Sequence, residues 1–283
     1  RGHVLLMKVR RVYGDRLVNE TDSGRFDEMV GRISRNFFED IDNAELQKQP
    51  LTFPTFAIDT HGDSKVYFSI DSYEKLKRNV WLELNEELTA LEQVRILNHV
   101  LYDIEGFTNA KSGQPDPKQA LLGEVMAERK GNPLGLGILY LSLAQDLNLP
   151  IHGVNLPNHF ILCYCDEHHI HHESDQPDNQ TPGGVLFYIN PFSQGTVINK
   201  AEVSEFLSHL ELPVDERNCG PCGSVDIIRR LIGNVAYGYE RSGHIRQAEK
   251  MRELLMFVET GATETPSPGA SAEGGEAPEE GLL

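Results

Sequence analysis

The chemistry in this sequence centres on one histidine at the start of an apolar segment. His159 stands in GVNLPNHFILCYC, and Asn190 ends a second segment, VLFYIN. Both segments are rich in β-branched and aromatic residues, which predicts β-strands. We predict that they pair antiparallel, with Cys163 opposite Leu186 and His159 opposite Asn190. An imidazole oriented by a neighbouring carboxamide is suited to act as a general base.

A buried helix should position the second part of this site. Asn132 is a predicted N-cap and Pro133 takes the first helical position, after which LGLGILYLSLAQDLN is apolar nearly all round. Gly135 and Gly137 predict that another element packs very close to the first turns. The candidate binding residues around this helix start and the adjoining strand are Asn132, Pro133, Leu134, Gly135, Asn155 and Asn158.

These segments together resemble a known family. GNPLGLGILYLSLAQDLNLPIHGVNLPNHFIL followed by FYINPFSQG looks like the core of the transglutaminase-like superfamily. From about Trp81 to Val258 the chain resembles a bacterial subgroup named after a regulator of invasion genes, in which tetratricopeptide-like helices follow that core. The resemblance implies an α+β fold, with a papain-like core of helices packed on an antiparallel sheet and a C-terminal helical hairpin. It also matches His159 to the family histidine and Asn190 to the family's Asp/Asn position.

The resemblance also shows where a nucleophile is missing. In thiol acyl-transfer enzymes of this kind a cysteine opens the buried helix, where the helix dipole and a nearby imidazole lower its pKa. This chain has Asn-Pro-Leu-Gly at 132–135, with neither thiol nor hydroxyl. The subgroup shares this departure, so the resemblance implies the fold without implying the activity. Cys163, four residues beyond His159 on the same strand, would lie about 13 Å from it, too far for proton transfer.

Two functions of different classes therefore stay open. The first is a non-catalytic protein- or peptide-binding regulatory protein, in which His159, Asn190 and the helix start line a relic pocket for a carboxylate or peptide carbonyl. The second is a hydrolase or acyl-transfer enzyme in which His159, oriented by Asn190, activates water. We favour the first because no nucleophile is in reach.

The four cysteines raise two further possibilities. CGPC, ending at Cys222, matches the tetrapeptide of thioredoxin-type redox centres, but lacks the strand that should precede it, and a Gly/Pro turn is the simpler interpretation. Cys163 and Cys165 share one strand face, where cysteine is a small apolar side chain. A zinc site built from these thiols and the HHIHH run at 168–172 is the alternative; we predict no metal and no cofactor.

The chain divides by composition into four parts. We predict an N-terminal α/β extension (1–80), the transglutaminase-like core (81–215), a tetratricopeptide-like helical hairpin (216–259) and a disordered acidic tail (260–283). Trp81 is a predicted core anchor. One hairpin cannot bury its own apolar face, so it must dock on the core.

Charge and cysteine usage limit the partners. The net charge is −17 over 283 residues and no basic run occurs, which argues against nucleic acid and anionic membrane. No apolar run predicts a bilayer span, and four cysteines in such a chain indicate a reducing compartment. We expect a cytoplasmic protein whose partner is a protein or peptide.

Overall fold

The structure, a computed structural model, describes residues 66–110, 116–157, 159–166 and 184–260, together with Gln47, Leu51, Thr52, Thr55, Ile58 and Asp59. Most of the predicted N-terminal extension and the predicted tail beyond residue 260 lie outside these residues. Asn158 and the histidine run at 168–172 also lie outside them.

The described residues form the predicted α+β fold. The α-helices are α1 (Val66–Glu83), α2 (Ala90–Asn98), α3 (Leu122–Glu128), α4 (Pro133–Asp146), α5 (Lys200–His209), α6 (Glu216–Cys219), α7 (Ser224–Arg241) and α8 (Ile245–Thr260). A π-helical turn continues α2 (His99–Ile104), and 3-10 turns span Pro117–Gln119 and Pro191–Ser193. The strands are β1 (Thr108–Asn109), β2 (Lys130–Gly131), β3 (Ile151–Leu156), β4 (His159–Cys165), β5 (Val185–Asn190) and β6 (Thr196–Ile198).

Local sequence signals set the starts of two helices, and that of α4 was predicted. Thr89 and Glu92 form a reciprocal capping box at α2. The side chain of Asn132 accepts a hydrogen bond from the backbone N–H of Gly135 at 2.8 Å, which caps α4. From Pro117 onward the chain forms a 3-10 turn and then the short helix α3.

The central helix α4 is buried along its length, as its all-round apolar sequence predicts. All residues from Leu134 to Ala144 are buried. The ring of Phe160 on β4 packs directly on Gly137, where a methyl group would lie 2.5 Å from the ring. The same ring meets Gly153 on β3. Two glycines therefore admit one aromatic ring between helix and sheet.

The larger sheet is antiparallel with strand order β3-β4-β5-β6. The pairing of β4 with β5 is confirmed, but the predicted register is wrong by two residues. Cys163 pairs with Tyr188 instead of Leu186, and an irregularity follows between Tyr164 and Cys165. A two-residue shift keeps every side chain on its predicted face, because side chains alternate with period two.

Each face of this sheet contributes to a different apolar cluster. Phe160, Leu162 and Ile189 join the main core with α4. On the other face Cys163 and Tyr188 pack in a second cluster with residues of α5. Side chains on the face of the sheet that packs against α5 are therefore separated from the start of α4 by the sheet itself.

The C-terminal helices form a docked hairpin. The break between α7 and α8 falls at Ser242 and Gly243, the latter with φ +78°. Gly238 of α7 approaches the backbone of Pro117, where a methyl group would lie 2.8 Å from the proline nitrogen. The hairpin thus packs against the turn that precedes α3.

The prediction that Trp81 is a core anchor is wrong, since the residue is 63% exposed. Helix α1 buries Tyr73, Leu76 and Val80, which lie on one helical face. Trp81 follows one position later and points away from that face. None of the described helices combines the length and apolar character needed to cross a bilayer.

Candidate functional site

The start of α4 is a capped helix end that contacts the C-terminal hairpin. While Asn132 Oδ1 caps α4, Asn132 Nδ2 donates to Asn234 Oδ1 of α7 at 3.3 Å. Pro133 is exposed, whereas Leu134 and Gly135 are buried. Of the four candidate residues here, only Asn132 and Pro133 are therefore placed to meet a ligand.

Asn155 lies on the same sheet face as Phe160, toward α4, and it also contacts α7. Arg230 Nη1 donates to Asn155 Oδ1 at 3.0 Å and to the carbonyl oxygen of Leu156 at 3.2 Å. The guanidinium carbon stands 5.7 Å from the centroid of the Phe160 ring, within range of a cation–π interaction. Burial lowers the pKa of Arg230, but a guanidinium stays protonated in folded proteins.

Helix α7 thus joins residues that the sequence placed on separate elements. Arg230 and Asn234 are four positions apart, which puts them on one face of α7. We call Asn132, Asn155, Arg230 and Asn234 the amide–arginine site. Neither α7 residue was among the candidates predicted from the sequence, where their signal is this four-residue spacing of polar side chains.

His159 lies on the other side of the sheet. Its pairing partner on β3 is Leu156, which belongs to the second apolar cluster. The His159 ring contacts the Phe206 ring of α5 edge-on, with 4.9 Å between the ring centroids. Its Nδ1 stands 3.2 Å from the carbonyl oxygen of Pro157. His159 is exposed on this α5 side, so the structure does not bring it to the start of α4.

Asn190 stabilises its own turn. Its Oδ1 accepts hydrogen bonds from the backbone N–H groups of Phe192 at 3.1 Å and Ser193 at 3.3 Å, and its Nδ2 donates to Ser193 Oγ at 3.1 Å. The predicted pairing of Asn190 with His159 does not occur, because the register differs by two residues. The carboxamide that was predicted to orient the imidazole is thus hydrogen-bonded to Phe192 and Ser193 instead.

The thiols at Cys163 and Cys165 lie in the apolar layer beneath α5. Their sulfur atoms are 3.8 Å apart, and both residues are almost fully buried. The hydrogen bond between the two thiols, together with burial, raises the pKa of Cys163, whereas the same hydrogen bond lowers the pKa of Cys165. Both side chains lie on one face of β4, as the alternation predicted, and that face points away from α4.

Cys222 is the thiol that lies beside the amide–arginine site. Its backbone pairs with Gly153, the N–H donating to the Gly153 carbonyl at 2.8 Å. Burial raises the pKa of its thiol to about 12. The negative charge of Asp226 raises this pKa further, whereas the positive charge of Arg230 lowers it. A thiol with this pKa is protonated at neutral pH and is a poor nucleophile.

Cys219, like Cys222, carries a free thiol. Its thiol donates to the carbonyl oxygen of Asp215 at 3.0 Å, and burial raises its pKa. Tyr188 donates its hydroxyl to the Cys219 carbonyl at 3.0 Å, which fixes this loop on the sheet. In the part of the chain that the structure describes, no group of three or more His, Cys, Asp or Glu side chains is arranged to hold a metal ion.

Comparison with known proteins identifies the family. The model of the transglutaminase-like superfamily matches residues 70–233, which is more than half of the chain. The chain therefore belongs to the transglutaminase-like superfamily.

Curated relatives occur in bacteria and in animals. Protein SirB1 of Salmonella typhimurium is 23% identical over 197 residues, 69% of this chain and 67% of that protein. A UPF0162 protein of Xylella fastidiosa (strain 9a5c) is 30% identical over 166 residues, 56% of this chain and 53% of that protein. F-box only protein 21 of Homo sapiens is 24% identical over 164 residues, 56% of this chain and 24% of that protein.

The likeness to SirB1 and to the UPF0162 proteins supports the invasion-regulator subgroup that the motifs indicated. The chain spans about a quarter of the length of F-box only protein 21 and about half of the Xylella protein. No solved structure matches the chain.

Proposed function

We propose that this protein is a non-catalytic transglutaminase-like protein that binds a protein or peptide and acts as a regulator. The observation that carries this proposal is the start of α4, where the family's thiol would stand. Pro133 occupies that turn, and the side chain of Asn132 is bound both to its own helix and to Asn234 of α7. A proline at this position offers no group that attacks a carbonyl carbon.

The arrangement of possible catalytic groups supports the same proposal. General-base catalysis needs heavy atoms within about 3 Å of each other or joined by one water. His159 contacts Phe206 on the α5 side of the sheet, and Cys222, beside the amide–arginine site, is a protonated thiol. The alternative hydrolase, with His159 activating water, loses support because the carboxamide of Asn190 is engaged in its own turn.

The amide–arginine site has the donors and acceptors that main-chain groups of a peptide need. Carboxamides both donate and accept hydrogen bonds, and a guanidinium binds carboxylates and carbonyl oxygens. Asn234 is exposed, and Asn132, Asn155 and Arg230 are partly exposed. We propose that a carbonyl or carboxylate group of a cytoplasmic partner protein docks here.

Truncating the two α7 side chains of this site should remove the partner. We expect full-length protein carrying Arg230→Ala and Asn234→Ala to retain about one tenth or less of the bound partner, because an arginine at the centre of an interface often supplies more than 1.4 kcal/mol. Quantitative affinity capture from lysate, with thermal melts of each variant, measures this. Arg252→Ala on α8 is the matched control and should bind normally. Partner amounts equal in all three proteins would contradict the proposed site.

A further inference from the structure

Helix α7 begins at a residue that cannot cap it. Its N-cap is Gly223, whose extended backbone carries no side chain to accept a hydrogen bond. Instead, Gln47 Oε1 accepts a hydrogen bond from the backbone N–H of Val225 at 3.3 Å. A methyl group on Gly223 would lie 2.6 Å from both terminal atoms of the Gln47 carboxamide. The carboxamide therefore occupies the space that a capping side chain of residue 223 would fill.

A residue slightly later in the chain attaches to the end of α4. Leu51 is fully buried, and its backbone N–H donates to Gln145 Oε1 at 3.0 Å. Beside it, the hydroxyl groups of Thr52 and Tyr73 are 3.2 Å apart. The N-terminal residues are thus held on the core at a point independent of α7.

A third attachment repeats the capping arrangement at α3. The N-cap of α3 is Leu121, which makes no side-chain capping hydrogen bond. The buried carboxyl group of Asp59 takes its place and accepts hydrogen bonds from the N–H groups of Leu122, at 2.9 Å, and Gly123. The N-cap residues of α3 and α7 thus make no capping hydrogen bond themselves. Side chains from the N-terminal stretch cap both helices instead.

We propose that Gln47, Leu51 and Asp59 form an N-terminal clasp: Leu51 and Asp59 hold this stretch on the core, and Gln47 supplies the missing N-cap of α7, so that order in the first turn of α7 depends on the clasp. The inference rests on the proposed function for its biological meaning. Arg230 and Asn234 lie on the helix that Gln47 caps, within about three turns of the cap. Release of Gln47 leaves the first turn of α7 uncapped, which favours fraying of this end and weakens its hold on β3.

Backbone amide exchange in the full-length chain tests the clasp. We expect Gln47→Ala to speed exchange at Val225, Ile227 and Ile228 about fivefold, the change that loss of one helix cap typically gives. Exchange at the capped start of α3, held by Asp59, should not change. Gly223→Ser added to Gln47→Ala should restore slow exchange, because serine at the N-cap provides its own acceptor in the vacated space.

The outcomes separate this inference from the proposed function. Faster exchange that Gly223→Ser reverses supports the clasp. Unchanged exchange in Gln47→Ala, or faster exchange that Gly223→Ser does not reverse, overturns it. Neither exchange measurement uses a partner, so the exchange result decides the clasp by itself. If Arg230→Ala with Asn234→Ala failed to reduce partner capture, that result would contradict only the proposed function.

Discussion

Gly137→Ala should destabilise the fold by about 2 kcal/mol, although alanine is the better helix former. The added methyl group would lie 2.5 Å from the Phe160 ring, well inside van der Waals contact. Retreat of the ring toward β3 is limited, because its far end packs on Gly153 so closely that a methyl group placed there would lie 3.0 Å from it. Helix and sheet must therefore separate or Phe160 must leave its preferred rotamer. Urea unfolding of the full-length protein measures the loss.

Gly233→Ala provides the matched control. Gly233 also stands inside an α-helix, α7, but nothing lies within 4 Å of a methyl group placed on it. There the helix propensity of alanine acts alone, and we expect a gain of about 0.5–1 kcal/mol. Equal effects of the two substitutions would show that the contact between Phe160 and Gly137 does not limit packing.

Stability should fall as pH rises from about 4 to 8, because Asp59 holds a proton in the folded state. Burial raises the pKa of Asp59 from 3.8 to about 8, although the N–H groups of Gly123 and Leu122 act in the opposite direction. A folded-state pKa above the unfolded value gives stability that is complete below pH 3.8 and is lost as pH rises through about 8. The loss is at most about 6 kcal/mol, at about 1.36 kcal/mol per pKa unit.

Asp59→Asn isolates this contribution. The amide keeps an acceptor for one of the two backbone N–H groups at the start of α3 and cannot ionise in this range. Urea unfolding at pH 4, 6 and 8 should show a smaller decline in the variant than in the wild type. Parallel pH profiles for the two proteins would mean that Asp59 ionises in the folded state as it does in the unfolded chain.

Local structure was predictable where neighbouring residues decide it. Asn132 and Pro133 set the start of α4 because a cap and a preset φ act within one turn. Gly243 ends the first hairpin helix for a similarly local reason. The all-round apolar sequence of α4 and the glycine at 137 correctly indicated burial and close packing. The family resemblance supplied the arrangement of these elements, which composition alone does not give.

Strand register was not predictable from alternation. Alternation assigns each side chain to a face, and shifts of two residues satisfy it equally well. A short turn would have fixed the register, but β4 and β5 are separated by residues 166–184. The shift decides the chemistry, since it separates His159 from Asn190. Alternation itself directs Phe160 toward α4 and its neighbour His159 toward α5.

The contacts that define the candidate site and the clasp join residues far apart in sequence. Asn132 meets Asn234, Asn155 meets Arg230, and Gln47 meets Val225 across 178 positions. Side-chain hydrogen bonds of this kind leave no periodic pattern in the sequence. An uncapped helix start, such as Gly223 before α7, is the one local sign that a distant side chain is required.

Turnover of acyl substrates tests the proposed absence of catalysis most directly. Ester and amide substrates would be assayed for hydrolysis and for transfer to an amine with wild type, His159→Ala and Cys222→Ser. We predict that all three proteins give the same rate as buffer, because the imidazole faces α5 and the thiol is protonated. A wild-type rate above buffer that either substitution abolishes would contradict the account.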